Sequence, residues 1–148
     1  MCWWLKKKAK PIEPIEIVEP VKIKSVGIID INEASSILLD KLAEMNDDKA
    51  EIYLPDASIK IYNKDEVISS CELQEVSSIK YIAEEQDCDD FAAELYGKFA
   101  GLVWTNVHAL NWFYDQDSAF WWIEPQTKKL SQTLEPWQGY EIRFFLAR

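Results

Sequence analysis

The spacing of apolar residues differs between the two halves of the chain. In the first half, apolar residues recur every three to four positions over 33–45, which predicts a helix, and Asn32 directly before them suits an N-cap. Two short runs rich in isoleucine and tyrosine, 51–54 and 58–62, predict strands on either side of a Pro-Asp turn. The first half is therefore predicted to be mainly helical, with two short strands.

The second half is dominated by strand patterns. Residues 102–114 are rich in valine, threonine, tryptophan and phenylalanine, and residues 119–124 repeat this pattern after turn residues at 115–118. A further strand is predicted over 140–146. A helical half followed by an antiparallel β half indicates an α+β fold.

The length of 148 residues suits one domain, preceded by an extended arm. Prolines at positions 11, 14 and 20 disfavour helix, so residues 1–24 are predicted to be an extended Pro-rich arm and residues 25–148 the domain. The arm begins with two tryptophans and a leucine followed by three lysines. This pattern predicts a short membrane or assembly contact of low affinity.

Charge and cysteine content restrict the partners and the compartment. The chain has 16 Lys+Arg against 26 Asp+Glu, a net charge of −10, which argues against nucleic acid as a partner. No apolar run approaches the roughly 20 residues of a membrane span, so no transmembrane segment is predicted. Three scattered cysteines indicate free thiols and fit a cytoplasmic location.

Cys88 is the candidate nucleophile. It follows Asp87, a suitable N-cap, so its sulfur is predicted to lie at the positive end of a helix dipole, where thiols become reactive. Phe91, Leu95 and Phe99 share its helix face. The alternative interpretation is that Cys88 is a small core residue.

The nearest carboxylates oppose a thiolate, so a cation is required. Asp87, Asp89 and Asp90 surround Cys88 in sequence and disfavour its charged form. The chain has one histidine, His108, on a predicted strand. A lone histidine is commonly a core residue, but this one precedes a strand that ends in a glutamate.

A hairpin of residues 107–114 and 118–124 is predicted to bring the histidine to that glutamate. Pairing His108 with Glu124 places Trp112 opposite Phe120 and creates one aromatic face beside the carboxylate. This register requires a loop with an odd number of residues, or a bulge. Glu124 would then orient the imidazole ring.

Three motifs, in this order, resemble the papain-like and transglutaminase-like cysteine hydrolases. They are Asp-Cys-Asp-Asp-Phe-Ala at 87–92, His-Ala-x-Asn at 108–111 and Ile-Glu-Pro-Gln at 123–126. They look closest to the C-terminal protease domain of fungal agglutinins and to related small phage-encoded proteins. The resemblance covers about residues 50–130.

The resemblance implies N-terminal helices and a catalytic helix packed on an antiparallel β-sheet. It implies Cys88 as nucleophile, His108 as general base and acid, and Glu124 as orienting acid of a cysteine peptidase that acts on a protein or peptide. Gln86 and Gln126 are candidates for an oxyanion donor or for a group that holds the glutamate. If the protein is phage-encoded, the compartment is the cytoplasm of the host cell, and association with the virion is a further expectation.

Three aspartates and three tryptophans are the remaining candidate site residues. Asp87, Asp89 and Asp90 are candidate calcium ligands because the agglutinin-type proteases are calcium-dependent, but they lack the glycine and spacing of a calcium loop, and solvated capping carboxylates are the other interpretation. No other cofactor is expected. Five tryptophans could line a groove for a peptide or a sugar, at positions 104, 112, 121, 122 and 137, and the chosen candidate walls are Trp104, Trp112 and Trp122.

Two alternative functions stay open. The chain could be a non-catalytic phage structural or host-interaction protein of the same fold. It could also be a carbohydrate-binding module that uses its tryptophans. Glycan binding that survives Cys88→Ala would favour the module.

Overall fold

The structure is a computed structural model that describes residues 22–73, 82–83 and 87–148. The extended arm predicted for residues 1–24 lies outside these ranges except for its last three residues. Gln86, a candidate oxyanion donor, also lies outside the described residues.

The described residues form three helices and eight strands. The first half contains β1 (Ser25–Asp30), α1 (Ile31–Glu44), β2 (Glu51–Tyr53), β3 (Ser58–Tyr62) and α2 (Lys64–Leu73). The second half contains α3 (Cys88–Tyr96), β4 (Gly101–Thr105), β5 (Ala109–Asp115), β6 (Phe120–Glu124), β7 (Lys129–Ser131), a 3-10 turn (Pro136–Gln138) and β8 (Ile142–Leu146). Among the helices of the described residues, none is long and apolar enough to cross a membrane.

All eight strands join one mixed sheet. Its main path is β1–β3–β5–β4–β8–β2, while β6 pairs with β5 and β7 pairs with β6. The pairs β2–β8 and β3–β5 are parallel, whereas β1–β3, β4–β5 and β5–β6 are antiparallel. The parallel pairs join strands from the two halves of the chain.

The predicted fold class is therefore corrected. The expected papain-like α+β architecture places helices first and an antiparallel sheet afterwards. Instead, β1, β2 and β3 of the first half are part of the same sheet, so the described part of the chain is mainly β with few helices. The predicted strands at 51–54 and 58–62 do form, yet they pair with β8 and with β1 and β5 rather than with each other. A short strand's residue pattern specifies its faces but not its neighbour.

The central strand β5 anchors helices on both faces of the sheet. Trp112 and Tyr114 belong to the core cluster that includes Leu38 of α1. On the opposite face, the Asn111 side-chain amide donates to the Ala92 carbonyl of α3 at 2.9 Å. This bond fixes the helix that carries Cys88 against the strand that follows His108.

Side-chain caps fix where two helices begin. The α1 helix is capped by Asp30, whose carboxylate accepts from the Asn32 N–H at 2.8 Å, so the predicted cap was two residues late. The α3 helix is capped by Asp87 as predicted, and the Asp90 carboxylate accepts from the Asp87 N–H at 3.2 Å. The capping carboxylates of Asp30 and Asp87 each lie at the positive end of a helix, where a negative charge is stabilising.

Candidate functional site

The β5–β6 hairpin has the predicted odd loop but a different register. Trp112 lies opposite Trp122 and Tyr114 lies opposite Phe120, whereas the predicted register placed Trp112 opposite Phe120. The strands are therefore shifted by two residues relative to the prediction. A shift of two keeps every side chain on its predicted face.

His108 and Glu124 are in contact in spite of this shift. His108 Nε2 lies 2.7 Å from Glu124 Oε2, and Glu124 is 3% exposed. Residues that lie diagonally across an antiparallel pair share a face, and long side chains can span the gap. The predicted contact is present although the register that predicted it is wrong.

The buried carboxylate has two further donors. The Gln138 side-chain amide donates to Glu124 Oε2 at 3.0 Å, and the Gln126 backbone N–H donates to Oε1 at 3.2 Å. Gln126 thus contacts Glu124 through its backbone, whereas its side-chain Nε2 is buried with no partner among the described residues. Both oxygens of Glu124 are satisfied, as a buried carboxylate requires.

An exposed tryptophan that was left out of the three chosen groove walls lies over the histidine. Trp137 is 56% exposed, and its ring centroid lies 5.2 Å from that of His108. Gly139 follows with φ 105, and a Cβ there would lie 2.6 Å from Thr105 Oγ1. The run Pro-Trp-Gln-Gly is a turn signal that could have identified this segment.

Thr105 connects this turn to the loop that carries the histidine. Its hydroxyl accepts from the His108 backbone N–H at 2.9 Å and donates to the Gln138 carbonyl at 2.7 Å. These bonds end β4 and explain why the single strand predicted over 102–114 is two strands. They also join the Trp137 turn and the His108 loop through one side chain.

Cys88 lies beside the backbone of Ala109, the residue directly after His108. The Ala109 backbone N–H donates to the Cys88 sulfur, which favours a thiolate, but burial is the larger effect and raises the pKa of the thiol. Asp87 and Asp89 raise the pKa of Cys88 further by charge repulsion. The helix terminus alone therefore does not produce a thiolate.

The acidic side chains next to Cys88 interact with one another. Single donor atoms of Asp87, Cys88 and Asp89 lie within 4.8 Å of one another, which is close enough for a metal ion. A hydrogen bond with Asp87 is the main cause that raises the pKa of Asp89, as expected for carboxyls that share a proton. Calcium prefers six to eight oxygen ligands, whereas one of these three residues, Cys88, offers a sulfur. This group does not complete a calcium site by itself, and calcium binding stays a prediction.

The three predicted groove tryptophans lie in different environments. Trp112 is 1% exposed and belongs to the core, so its assignment to a groove was wrong. Trp104 is half-buried on the face of the sheet opposite to Trp112, and its ring lies 5.4 Å from that of Phe144. Trp122 is 3% exposed, yet part of it lines two neighbouring cavities.

These cavities flank the exposed turn at 136–138. The first has a volume of about 340 Å³ and is lined by Trp122, Glu124, Glu135, Trp137 and Gln138, among others. The second has a volume of about 440 Å³ and includes Tyr140, which is 69% exposed. Two exposed aromatic side chains and several polar groups therefore lie side by side on this surface.

Comparisons with known proteins find similar folds among solved structures. No protein-family model and no curated protein sequence matches the chain. A PSL1a-E64 complex is 23% identical with a TM-score of 0.67, over 80% of this chain and 50% of that chain. Polyporus squamosus lectin bound to the human-type influenza-binding epitope Neu5Aca2-6Galb1-4GlcNAc is 24% identical with a TM-score of 0.51, over 66% of this chain and 42% of that chain.

These matches concern the fold, and this chain spans half or less of the length of each matched chain. A lectin is the protein named in the second match, and a glycan is the partner named for it. On this finding the predicted cysteine-hydrolase family, the predicted enzyme and the predicted peptide substrate are corrected. The roles predicted for Cys88, His108 and Glu124 stay predictions.

Proposed function

We propose that this domain binds carbohydrate at the surface around Trp137. The observation that carries the proposal is the exposure of this large ring, 56%, at the mouth of a cavity whose other walls include polar side chains. An aromatic ring packs well on the flat C–H face of a sugar, and polar groups at its edge satisfy the hydroxyls. The fold's similarity to a lectin solved with a bound glycan supports the same conclusion.

The polar groups around Trp137 match what a sugar offers. Glu135 supplies a carboxylate that accepts from Lys129 Nζ at 3.0 Å, and both side chains lie at the rim of the cavity. Thr127 and Ser131 add hydroxyls that both donate and accept. Exposed ion pairs contribute little to folding, so these charges can exchange partners with a ligand at small cost.

A second aromatic side chain extends the surface beyond one sugar. Tyr140 is 69% exposed and lines the neighbouring cavity, which shares Trp122 and Glu135 with the first. Two aromatic platforms on adjoining cavities favour an oligosaccharide over a monosaccharide. The surface around Trp137 is therefore assigned the first contact and Tyr140 the second.

Replacing Trp137 with alanine tests the proposal. We expect the variant to bind glycan at least about tenfold more weakly than the wild type, because an aromatic anchor at the centre of a site dominates affinity. Tyr53→Ala is the matched control, since Tyr53 is 50% exposed on the edge strand β2 and lines neither cavity. Calorimetric titration that gave equal affinities for Trp137→Ala and the wild type would refute the assigned surface.

We also propose that Cys88, His108 and Glu124 form a reactive-thiol site next to this surface. Glu124 engages Nε2 of the imidazole at 2.7 Å, and the proposal assigns the other ring nitrogen, Nδ1, to the Cys88 thiol. The sulfur accepts from the N–H of the residue directly after His108. A carboxylate that orients an imidazole beside a thiol is the arrangement that activates cysteine.

Thiol labelling distinguishes this site from a structural cysteine. In a Cys2→Ser background, we expect iodoacetamide to modify Cys88 well before Cys71, because Cys71 is 2% exposed and burial raises its pKa to about 11. We expect His108→Gln to slow the labelling of Cys88 by about tenfold or more, since an imidazole base contributes at least that much. Faster labelling of Cys71, or a rate at Cys88 that His108→Gln leaves unchanged, would refute the reactive-thiol proposal.

A further inference from the structure

Gln138 connects the buried carboxylate to the exposed turn. It is 5% exposed, its side-chain amide donates to Glu124 Oε2 at 3.0 Å, and its side-chain oxygen accepts from the Glu135 backbone N–H at 2.8 Å. Its backbone carbonyl accepts from the Thr105 hydroxyl at 2.7 Å. Both ends of the amide and the carbonyl are therefore satisfied at once.

These bonds close a ring of contacts around Trp137. Gln138 is the next residue after Trp137 and holds Glu124, while Glu124 holds His108 and the His108 ring lies 5.2 Å from that of Trp137. The tryptophan is thus fixed from its own backbone on one side and from the imidazole on the other. A buried apolar residue at 138 could not do this, because it would remove one of the donors to the buried Glu124 carboxylate and leave the Glu135 N–H without its side-chain acceptor.

We propose that Gln138 is a positioning residue that orients the exposed Trp137 ring for carbohydrate, an inference that rests on the proposed function. A side chain already held in its binding orientation loses less freedom when a ligand is bound, and this increases affinity. The bonding pattern requires a residue that both donates and accepts. Glutamine meets this requirement without adding a charge next to Glu124.

The substitution Gln138→Glu removes the hydrogen-bond donor of the side chain while it keeps the shape of the side chain. The variant keeps an oxygen for the Glu135 N–H, removes the donor to Glu124, and places a second carboxylate beside it. Tryptophan is replaced by 5-fluorotryptophan, and the fluorine resonance of Trp137 is assigned with Trp137→Phe. We expect Gln138→Glu and Gln138→Ala to shift or broaden this resonance and to weaken glycan affinity about tenfold, with the resonance of buried Trp112 unchanged.

The control is Gln116→Ala, which removes an exposed glutamine that lines neither cavity and is expected to change neither readout. An unchanged Trp137 resonance in both Gln138 variants would overturn the positioning role whether or not glycan is bound. A wild type that binds no glycan would overturn the proposed function instead, and the resonance would still report on positioning.

Hydrogen exchange of the wild type tests the same inference without any substitution. The Gln138 side-chain NH₂ is expected to exchange much more slowly than that of exposed Gln132, because it is buried and bonded to Glu124. Equal exchange of the two side chains would overturn the positioning role even if the variants failed to fold.

Discussion

Replacing Trp112 with alanine is expected to lower the free energy of unfolding by about 3–5 kcal/mol, the cost of truncating a large buried aromatic residue. Trp112 is 1% exposed, and its ring lies 5.8 Å from that of Phe120 and 5.9 Å from that of Phe145. Its indole N–H also donates to the Leu102 carbonyl at 3.0 Å. Chemical denaturation of the variant and the wild type measures the loss.

The matched control for this effect is Trp137→Ala. The same change at a side chain that is 56% exposed is expected to alter stability by less than about 1 kcal/mol. Comparable losses at the two positions would show that the exposed turn is part of the core, and the assignment of Trp137 to a ligand surface would then be wrong.

Replacing Glu124 with alanine is expected to lower the free energy of unfolding by about 3 kcal/mol or more, as for a buried pair that loses one member. The carboxylate accepts from His108, Gln138 and the Gln126 backbone, and it is 3% exposed. Its removal leaves these donors without their acceptor in a buried site.

Glu124→Gln is the control for this second effect. The amide has nearly the shape of the carboxylate and keeps one acceptor oxygen, so we expect less than half of the loss seen with alanine. Denaturation midpoints at constant m-value provide the comparison. If alanine were tolerated as well as glutamine, the hydrogen bonds of Glu124 would not stabilise the fold, and the support assigned to Trp137 would be lost.

Local signals in the sequence predicted the parts of the site that depend on short segments. Asp87 was identified as the cap of α3 because a carboxylate before an apolar face has a direct bonding role. The contact of His108 with Glu124 was predicted from an assumed hairpin register, which in turn required a loop with an odd number of residues or a bulge. The error of two residues in the register did not remove this contact, because a shift by an even number of residues keeps each side chain on the same face of the sheet.

Features that depend on distant segments were not predicted. The strands β2 and β8 pair in parallel although most of the chain separates them, and no local pattern specifies such a partner. Gln138 was missed because its donor and acceptor partners, Glu124 and Glu135, become apparent only when the turn at 136–138 folds back. Trp112 and Trp137 carry the same side chain, and only the packing of the sheet distinguishes a core residue from an exposed one.

Titration with the trisaccharide Neu5Aca2-6Galb1-4GlcNAc and a panel of other glycans tests the central claim most directly, using the wild type, Trp137→Ala and Cys88→Ala. We expect saturable binding of at least one glycan by the wild type, a loss of at least about tenfold in Trp137→Ala, and unchanged affinity in Cys88→Ala. An absence of glycan binding, together with hydrolysis of a peptide panel that disappears in Cys88→Ala, would contradict the account and restore the cysteine-hydrolase interpretation.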